Sequence, residues 1–265
     1  QLAWYRAMVE GGVLAMIQTT EELNQHLKDW AGDPENTPIG YVLSLEGSDS
    51  IRTLADLETA YGYGLRALGP AHYGNGRYAL GHDQLGPLSH KGKALIQEMD
   101  RLGLILDVTH LCEETFWDAL ACFSGPVWAS DHNCRALVND PRQLSDDQIR
   151  AVAERGGIIG LAMDTWMIVP GWEKRVTTPE ASGVCLNDAL KHLDHICQLL
   201  GNADHVGIGT DLDGGFGAEQ SPKDLHSIAD IAKIPRLLRE RGFSELDVGK
   251  VAHGNFIDLL QKALP

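Results

Sequence analysis

The sequence predicts an α/β fold built on a parallel sheet. Two observations carry this prediction: short apolar runs recur along the chain, and amphipathic stretches with helix signals separate them. The runs are rich in Val, Ile, Leu and Gly and are apolar on both faces, which is typical of buried parallel strands. Strands that alternate with helices form βα units. Six runs are strand candidates: Ile39–Leu45, Tyr63–Leu68, Leu102–Val108, Pro126–Ala129, Gly157–Met163 and Val206–Ile208.

Capping residues mark the helices between these runs. Ser89 and Ser145 each precede an amphipathic stretch that ends in glycine, and Ser244 opens the last helical region. Leu186–Leu200 carries leucines along one helical face. No linker or internal repeat interrupts the pattern, so residues 1–265 are predicted to form a single domain.

The charge of the chain narrows the classes of partner. The 265 residues include 22 Lys and Arg against 37 Asp and Glu, which gives a net charge of −15. We therefore expect no nucleic-acid partner and no anionic membrane partner, because a basic surface is needed to displace counterions. No apolar run approaches the roughly 20 residues of a membrane span. The five cysteines form no CxxC pair, which indicates reduced thiols and a cytoplasmic protein.

Polar residues stand where the apolar runs end. The C-terminal ends of the strands in an α/β barrel converge on one mouth, where active sites lie. Carboxylates and imidazoles gathered there are costly to desolvate unless they pair or bind a metal, and two histidines with two carboxylates suit a divalent metal such as zinc. This pattern by itself fits any barrel hydrolase. The residues are Glu46, His72, His110, Asp131, His132, Asp164 and Asp211.

Some polar residues have simpler interpretations. An acidic residue after a strand often caps the next helix, and we assign that role to Asp164. His192 and His195 fall off the leucine face of their helix, which predicts surface or boundary positions. Cys112 and Cys134 are interpreted as buried, inert thiols rather than nucleophiles. The sequence also has no GxSxG, GxGxxG or Walker motif.

Eight short motifs occur in a fixed order along nearly the whole chain. They are Ser44–Gly47, Gly69–His72, Glu98–Gly103, Leu106–His110, Asn133–Ala136, Arg142–Gln148, Gly156–Gly160 and Gly207–Gly214. Taken together, these motifs resemble the renal (membrane) dipeptidase family of zinc metallopeptidases. The stretch from Gly69 to Leu80 resembles the bacterial amidohydrolase branch of that family.

The resemblance implies a β/α barrel that holds two zinc ions and hydrolyses dipeptides. Glu46 then corresponds to the carboxylate that bridges both metals, and His110 to a ligand of the second metal. Asp211 corresponds to the catalytic acid/base, and His72 to the histidine that stabilises the oxyanion. Arg142 corresponds to the arginine that binds the substrate carboxylate, which restricts the enzyme to short substrates.

The chain departs from the family at its start. The family carries a His-x-Asp ligand pair on its first strand, and no such pair precedes Glu46. The chain also begins at Gln1, so we expect its start to be processed, trimmed or missing a segment. The fold class we predict is therefore a (β/α)8 TIM-type barrel of the metal-dependent hydrolase kind that lacks its first two strands. We expect this chain alone to bind one zinc ion or none, and exposed strand edges would favour a homo-oligomer.

A second departure lies after the fourth strand candidate. The family has Ala-Ser-His there, whereas this chain reads Ala129-Ser130-Asp131-His132. Register places Asp131 in the ligand position, and His132 could replace it only if the chain turns. Both stay open as metal ligands. Three functions follow: a dipeptidase, a barrel amidohydrolase acting on another amide or lactone, and a catalytically impaired or assembly-dependent family member.

Overall fold

Parallel strands form the centre of the protein. The computed structural model describes residues 1–265. Six strands, β3 to β8, form one sheet in chain order, and all five pairings are parallel. The α/β prediction is confirmed. The strands are β1 (Leu14–Met16), β2 (Ile39–Tyr41), β3 (Leu43–Glu46), β4 (Leu65–Gly69), β5 (Ile105–Asp107), β6 (Val127–Ala129), β7 (Ile158–Leu161) and β8 (Val206–Ile208).

The six-stranded sheet does not close into a barrel. Strands β3 and β8 each have one neighbour and form the two edges of the sheet. The apolar run Ile39–Leu45 is not one strand, because it divides at Val42 into β2 and β3. Strand β2 pairs instead with β1, which sequence analysis missed because three half-buried residues carry too little periodicity. The single-domain assignment stays a prediction.

Helices connect the strands, and the predicted caps are present. The Ser89 and Ser145 hydroxyls accept hydrogen bonds from the amides of Gly92 and Gln148, which satisfies donors at the helix starts. No helix combines the length and apolar composition that crossing a bilayer requires. The helices are α1 (Leu2–Glu10), α2 (Thr20–Gly32), α3 (Leu54–Gly62), α4 (His90–Leu102), α5 (Glu113–Cys122), α6 (Asp146–Glu154), α7 (Thr165–Ile168), α8 (Pro179–Ser182), α9 (Leu186–Leu200), α10 (Ile234–Glu240), α11 (Glu245–Gly249) and α12 (Asn255–Ala263).

Strands β4 to β7 are buried on both faces of the sheet, as their apolar residues predict. Leu68 and Leu106 belong to the main core of 41 buried residues, which the surrounding helices complete. The neighbouring residues Ala67 and Ile105 point to the opposite face, because successive side chains of a strand alternate. There they join a smaller cluster with Leu259 of α12. The rigid centre therefore holds the strand ends in fixed positions.

His192 corrects one expectation about helix α9. Its side chain is 0 % exposed rather than at the surface or boundary. Helix α9 packs against α6, α7, β7 and β8, so its buried face is wider than the leucine stripe. His192 Nδ1 accepts from the Cys134 amide at 3.0 Å and Nε2 donates to the Ile168 carbonyl at 2.9 Å. His195 is half-buried and contacts Asp146.

Candidate active site at the strand ends

Three residues from successive strand ends meet in one group. Glu46 is the last residue of β3, His72 follows β4 and His110 follows β5. Glu46 Oε1 lies 3.1 Å from His110 Nε2 and 3.8 Å from His72 Nε2. One ligand atom from each residue lies within 4.8 Å of the others. The structure thus brings together Glu46, His72 and His110, as the sequence predicts.

The histidine His82 lies behind this group and was missed by sequence analysis. His82 Nδ1 is 3.0 Å from His110 Nδ1, and both side chains are buried. When His110 Nδ1 carries the proton and donates to His82, His110 Nε2 is left with a free lone pair towards Glu46. Burial lowers the pKa of His82 to about 4, so it is neutral and able to accept. The loop pairing of Gly81 with Leu111 brings His82 to this position.

Asp211 lies beside the group, just after β8. Burial, helped by the negative charges of Asp131, Glu46 and Asp164, raises its pKa to about 7. Its φ of 58° is left-handed, which is uncommon outside glycine. A side chain at Gly214 would overlap the Asp211 carboxylate, so this glycine leaves the space that the carboxylate occupies. Asp211 can therefore take up and release a proton near neutral pH.

Asp131 and His132 both lie against Arg142 rather than within the group of Glu46, His72 and His110. The Asp131 carboxylate forms an ion pair with the Arg142 guanidinium and accepts from Ser130 Oγ at 2.6 Å. His132 Nε2 lies 3.3 Å from Arg142 Nη1. Burial and the nearby Arg142 charge hold the pKa of His132 well below its usual range. The ligand roles of Asp131 and His132 stay predictions.

Glu46, His72, His110 and Asp211 line one cavity of about 430 Å³. Asp164 lines it and occupies the N-cap position of helix α7, as predicted, but its side chain makes no capping hydrogen bond to the helix amides. Its carboxylate accepts instead from Trp166 Nε1 at 2.6 Å and from Gln220 Nε2 at 2.8 Å. The capping prediction is therefore correct for the position of Asp164 and wrong for its side chain, whose oxygens accept from Trp166 and Gln220 instead. Lys174 Nζ lies 4.2 Å from the centre of the Trp166 ring.

The donor group fits a divalent metal ion. Two imidazoles and a carboxylate are the ligand types that zinc takes in catalytic sites, and two ligands of one tetrahedral zinc lie about 3.4 Å apart. The separation of Glu46 from His110 is close to that value. Burial, with help from the Arg142 charge, strongly lowers the pKa of His110, so this imidazole is neutral and ready to coordinate. The group Glu46, His72 and His110 is therefore a candidate metal site.

The family model described as membrane dipeptidase (peptidase family M19) matches residues 12–264. The chain belongs to the membrane dipeptidase family. Peptidase family M19 consists of metallopeptidases, which agrees with the candidate metal site in the structure. The resemblance noted from the motifs is thereby confirmed.

Two curated relatives are moderately similar to this chain in sequence. A Klebsiella pneumoniae protein, named as uncharacterized in the pqqA 5' region, is 29% identical over 236 residues, which cover 86% of this chain and 83% of that protein. Dipeptidase tcpJ of Claviceps purpurea is 26% identical over 234 residues, which cover 84% of this chain and 51% of the enzyme. The chain thus spans about half the length of that dipeptidase.

Solved structures of family members share the fold. A metallopeptidase from Rhodobacter sphaeroides, liganded with a phosphinate mimic of the dipeptide L-Ala-D-Ala, superposes with a TM-score of 0.82 at 24% identity; the match covers 99% of this chain and 72% of that one. Dipeptidase AC, a metallopeptidase of family M19, gives 0.81 at 25% identity, covering 99% and 75%. The parallel arrangement of strands is therefore that of the family.

Proposed function

We propose that this chain is a zinc-dependent dipeptidase that cleaves the peptide bond of dipeptides with a free C-terminal carboxylate. The observation that carries the proposal is the group of Glu46, His72 and His110 beside Asp211 at one cavity. The relatives named as dipeptidases, and the metallopeptidase solved with a dipeptide mimic, support the choice of substrate.

Zinc is the metal that this donor set favours. Glu46 and His110 would hold it, which leaves the more distant His72 free at the cavity. Zinc bound there would supply Lewis-acid activation of a water and of the scissile carbonyl. We expect at most one tightly bound ion, because the structure brings only these three donors together.

The remaining steps fall to the chain's own side chains. Asp211, with a pKa near neutrality, takes a proton from the attacking water and returns it to the leaving amine. His72, half-exposed at the cavity, is placed to donate a hydrogen bond to the oxygen of the tetrahedral intermediate. The sequence predicts that Arg142 binds the substrate carboxylate. In the structure its guanidinium is already paired with Asp131, so the substrate carboxylate would have to compete for it.

Two further proposals concern the surroundings of the protein. All five cysteines are free, which supports a reducing, cytoplasmic location. The edge strands β3 and β8 lack partners on one side, and Ser44 and Glu46 of β3 are exposed, which supports a homo-oligomer. The net charge of −15 supports the absence of nucleic-acid and anionic membrane partners.

The test is hydrolysis of a panel of L,L and L,D dipeptides by purified chain supplied with zinc. We expect slow, zinc-dependent release of amino acids that the Glu46→Gln variant lacks. Zinc-dependent cleavage of other amides or lactones, without cleavage of dipeptides, would favour the amidohydrolase alternative. Tight zinc binding with no turnover on any substrate would favour an impaired or assembly-dependent family member.

A further inference from the structure

Arg142 does not face the cavity as a free cation. Its side chain is 2 % exposed, and its guanidinium is already paired with the Asp131 carboxylate. An arginine that binds a substrate carboxylate must offer it an uncompensated charge. In this chain the residue that replaces the expected histidine supplies a resident anion instead. A free carboxylate of the substrate would therefore compete with Asp131 for Arg142.

Two other cations line the same cavity and form no ion pair. Lys174 and Arg175 are exposed, and neither side chain makes an ion pair or a hydrogen bond within the chain. Unpaired cations at the cavity are thus available to an anionic group that enters it.

Hydrogen bonds within residues 173–177 hold the turn that carries these cations. The amides of Val176 and Thr177 both donate to the Glu173 carbonyl, at 3.1 and 2.9 Å, and Thr177 Oγ1 accepts from the Glu173 amide at 3.0 Å. Arg175 lies at the tip of this turn with a left-handed φ of 67°. Lys174 rests over the Trp166 ring, a cation–π contact that fixes its position along the wall.

The strained backbone at Arg175 belongs to a pattern. Only three non-glycine residues of the chain have a positive φ, namely His110, Arg175 and Asp211, and all three line this cavity. Strain of this kind concentrates at functional sites, where the surrounding structure holds it. Two of the three are already candidates for metal binding and proton transfer. Arg175 has neither of these roles, and its positive charge at the cavity indicates binding of an anionic group.

We propose that Lys174 and Arg175, rather than Arg142, recognise the free carboxylate of the substrate. This inference rests on the proposed function and assigns its substrate specificity to the turn at residues 173–177. The ligand class is a peptide or N-acyl amino acid with a free carboxylate.

The test compares two probes that the enzyme cannot cleave, a phosphinate mimic of L-Ala-D-Ala and the C-terminal amide of that mimic. Their affinities are measured by calorimetry on the full chain with zinc present. We expect the unaltered chain to bind the acid about tenfold more tightly than the amide, as two partly exposed ion pairs predict. The double variant Lys174→Gln/Arg175→Gln should lose that preference.

Two controls keep the outcome clear. Lys91→Gln changes an exposed lysine of α4 that does not line the cavity, and it should leave the preference unchanged. Arg142→Gln should also retain it, and the compensated variant Asp131→Asn/Arg142→Gln replaces it if the single change unfolds the chain. Loss of the preference in the Arg142 variants, or its retention in the Lys174/Arg175 variant, would overturn the inference.

The two proposals fail separately. Hydrolysis of dipeptides with equal binding of acid and amide contradicts only the carboxylate assignment. Selective binding of the acid without hydrolysis of any dipeptide contradicts only the proposed function. Absence of binding for both probes contradicts the carboxylate assignment, and the hydrolysis assay then decides the proposed function independently.

Discussion

Asp131 and Arg142 form a buried ion pair directly beside the candidate site. Their side chains are 12 % and 2 % exposed, and the Ser130 hydroxyl donates to the other oxygen of Asp131. The motif resemblance predicts that Asp131 takes the place of a histidine ligand of the family, and that Arg142 corresponds to the family's carboxylate-binding arginine. One substitution at the end of β6 therefore changes two predicted roles at once.

Breaking this pair should destabilise the fold. Asp131→Asn or Arg142→Gln leaves one buried charge without a partner, which typically costs about 3–5 kcal/mol. The double variant removes both charges and should cost clearly less than the sum. Urea denaturation of the four proteins measures this coupling. Additive effects of the two single changes would show that the pair contributes no interaction energy.

Zinc binding should depend on His110 and not on His132. His110 Nε2 lies next to Glu46, whereas His132 lies against Arg142. We expect His110→Ala to abolish tight zinc binding and His132→Ala to leave it nearly unchanged, with one ion or fewer bound per chain. Calorimetric titration with zinc checks both. Loss of affinity in His132→Ala would place the metal on the other side of Arg142.

The interaction of His82 with His110 should tune metal affinity. We expect His82 to hold the proton of His110 on Nδ1, since the two nitrogens lie 3.0 Å apart, and loss of such an outer partner typically lowers metal affinity about 10- to 100-fold. We expect His82→Ala to show this loss, and His82→Asn to show less of it if the amide oxygen accepts the same proton. His90→Ala, an exposed histidine of α4, is the matched control. Equal zinc affinity in His82→Ala and His90→Ala would reject the role.

Asp211 should make the metal-free protein less stable as the pH rises. Its folded-state pKa of about 7 lies above the ordinary value of 3.8, so the folded chain holds a proton that the unfolded chain has lost. Stability is therefore fully present below about pH 4 and falls as the pH rises towards 7. Asp211→Asn removes this loss, so the variant should exceed the unaltered chain in stability at pH 8 and match it at pH 4.

Thermal unfolding with a chelator present measures this difference in stability, and Asp213→Asn is the exposed control.

The same Asp211→Asn change should lower dipeptide turnover about 10²–10⁴-fold, the usual contribution of one acid/base group. Unchanged turnover would reject Asp211 as the acid/base residue, whatever its effect on stability.

Two glycines at the strand ends, Gly160 and Gly209, should be needed for full stability of the fold. A side chain at Gly160 or Gly209 would overlap the carbonyl oxygen of Ser130, just before Asp131. Alanine at either position should destabilise by about 1–3 kcal/mol, because packed backbone cannot yield. Gly249→Ala is the control, since nothing lies within 4 Å of its added carbon, and it should stabilise by about 0.5–1 kcal/mol. Similar effects at all three positions would contradict this packing argument.

Much of the frame was predictable from local patterns. Apolar runs separated by capped helices predict buried parallel strands, and the order of the six strands in the sheet follows their order in the chain. Glu46, His72 and His110 were predictable as neighbours, because the carboxyl ends of adjacent parallel strands meet at one edge. These inferences need only periodicity and the geometry of a βα unit.

The tertiary structure alone decided which polar groups touch. Whether Asp131 faces the metal group or Arg142 depends on a side-chain direction that register cannot give. His82 reaches His110 through a loop pairing between residues 30 positions apart, 81 and 111, and no spacing rule connects them. Sequence patterns report the local backbone and the burial of a face, whereas charge pairing and proton positions arise from packing between distant segments.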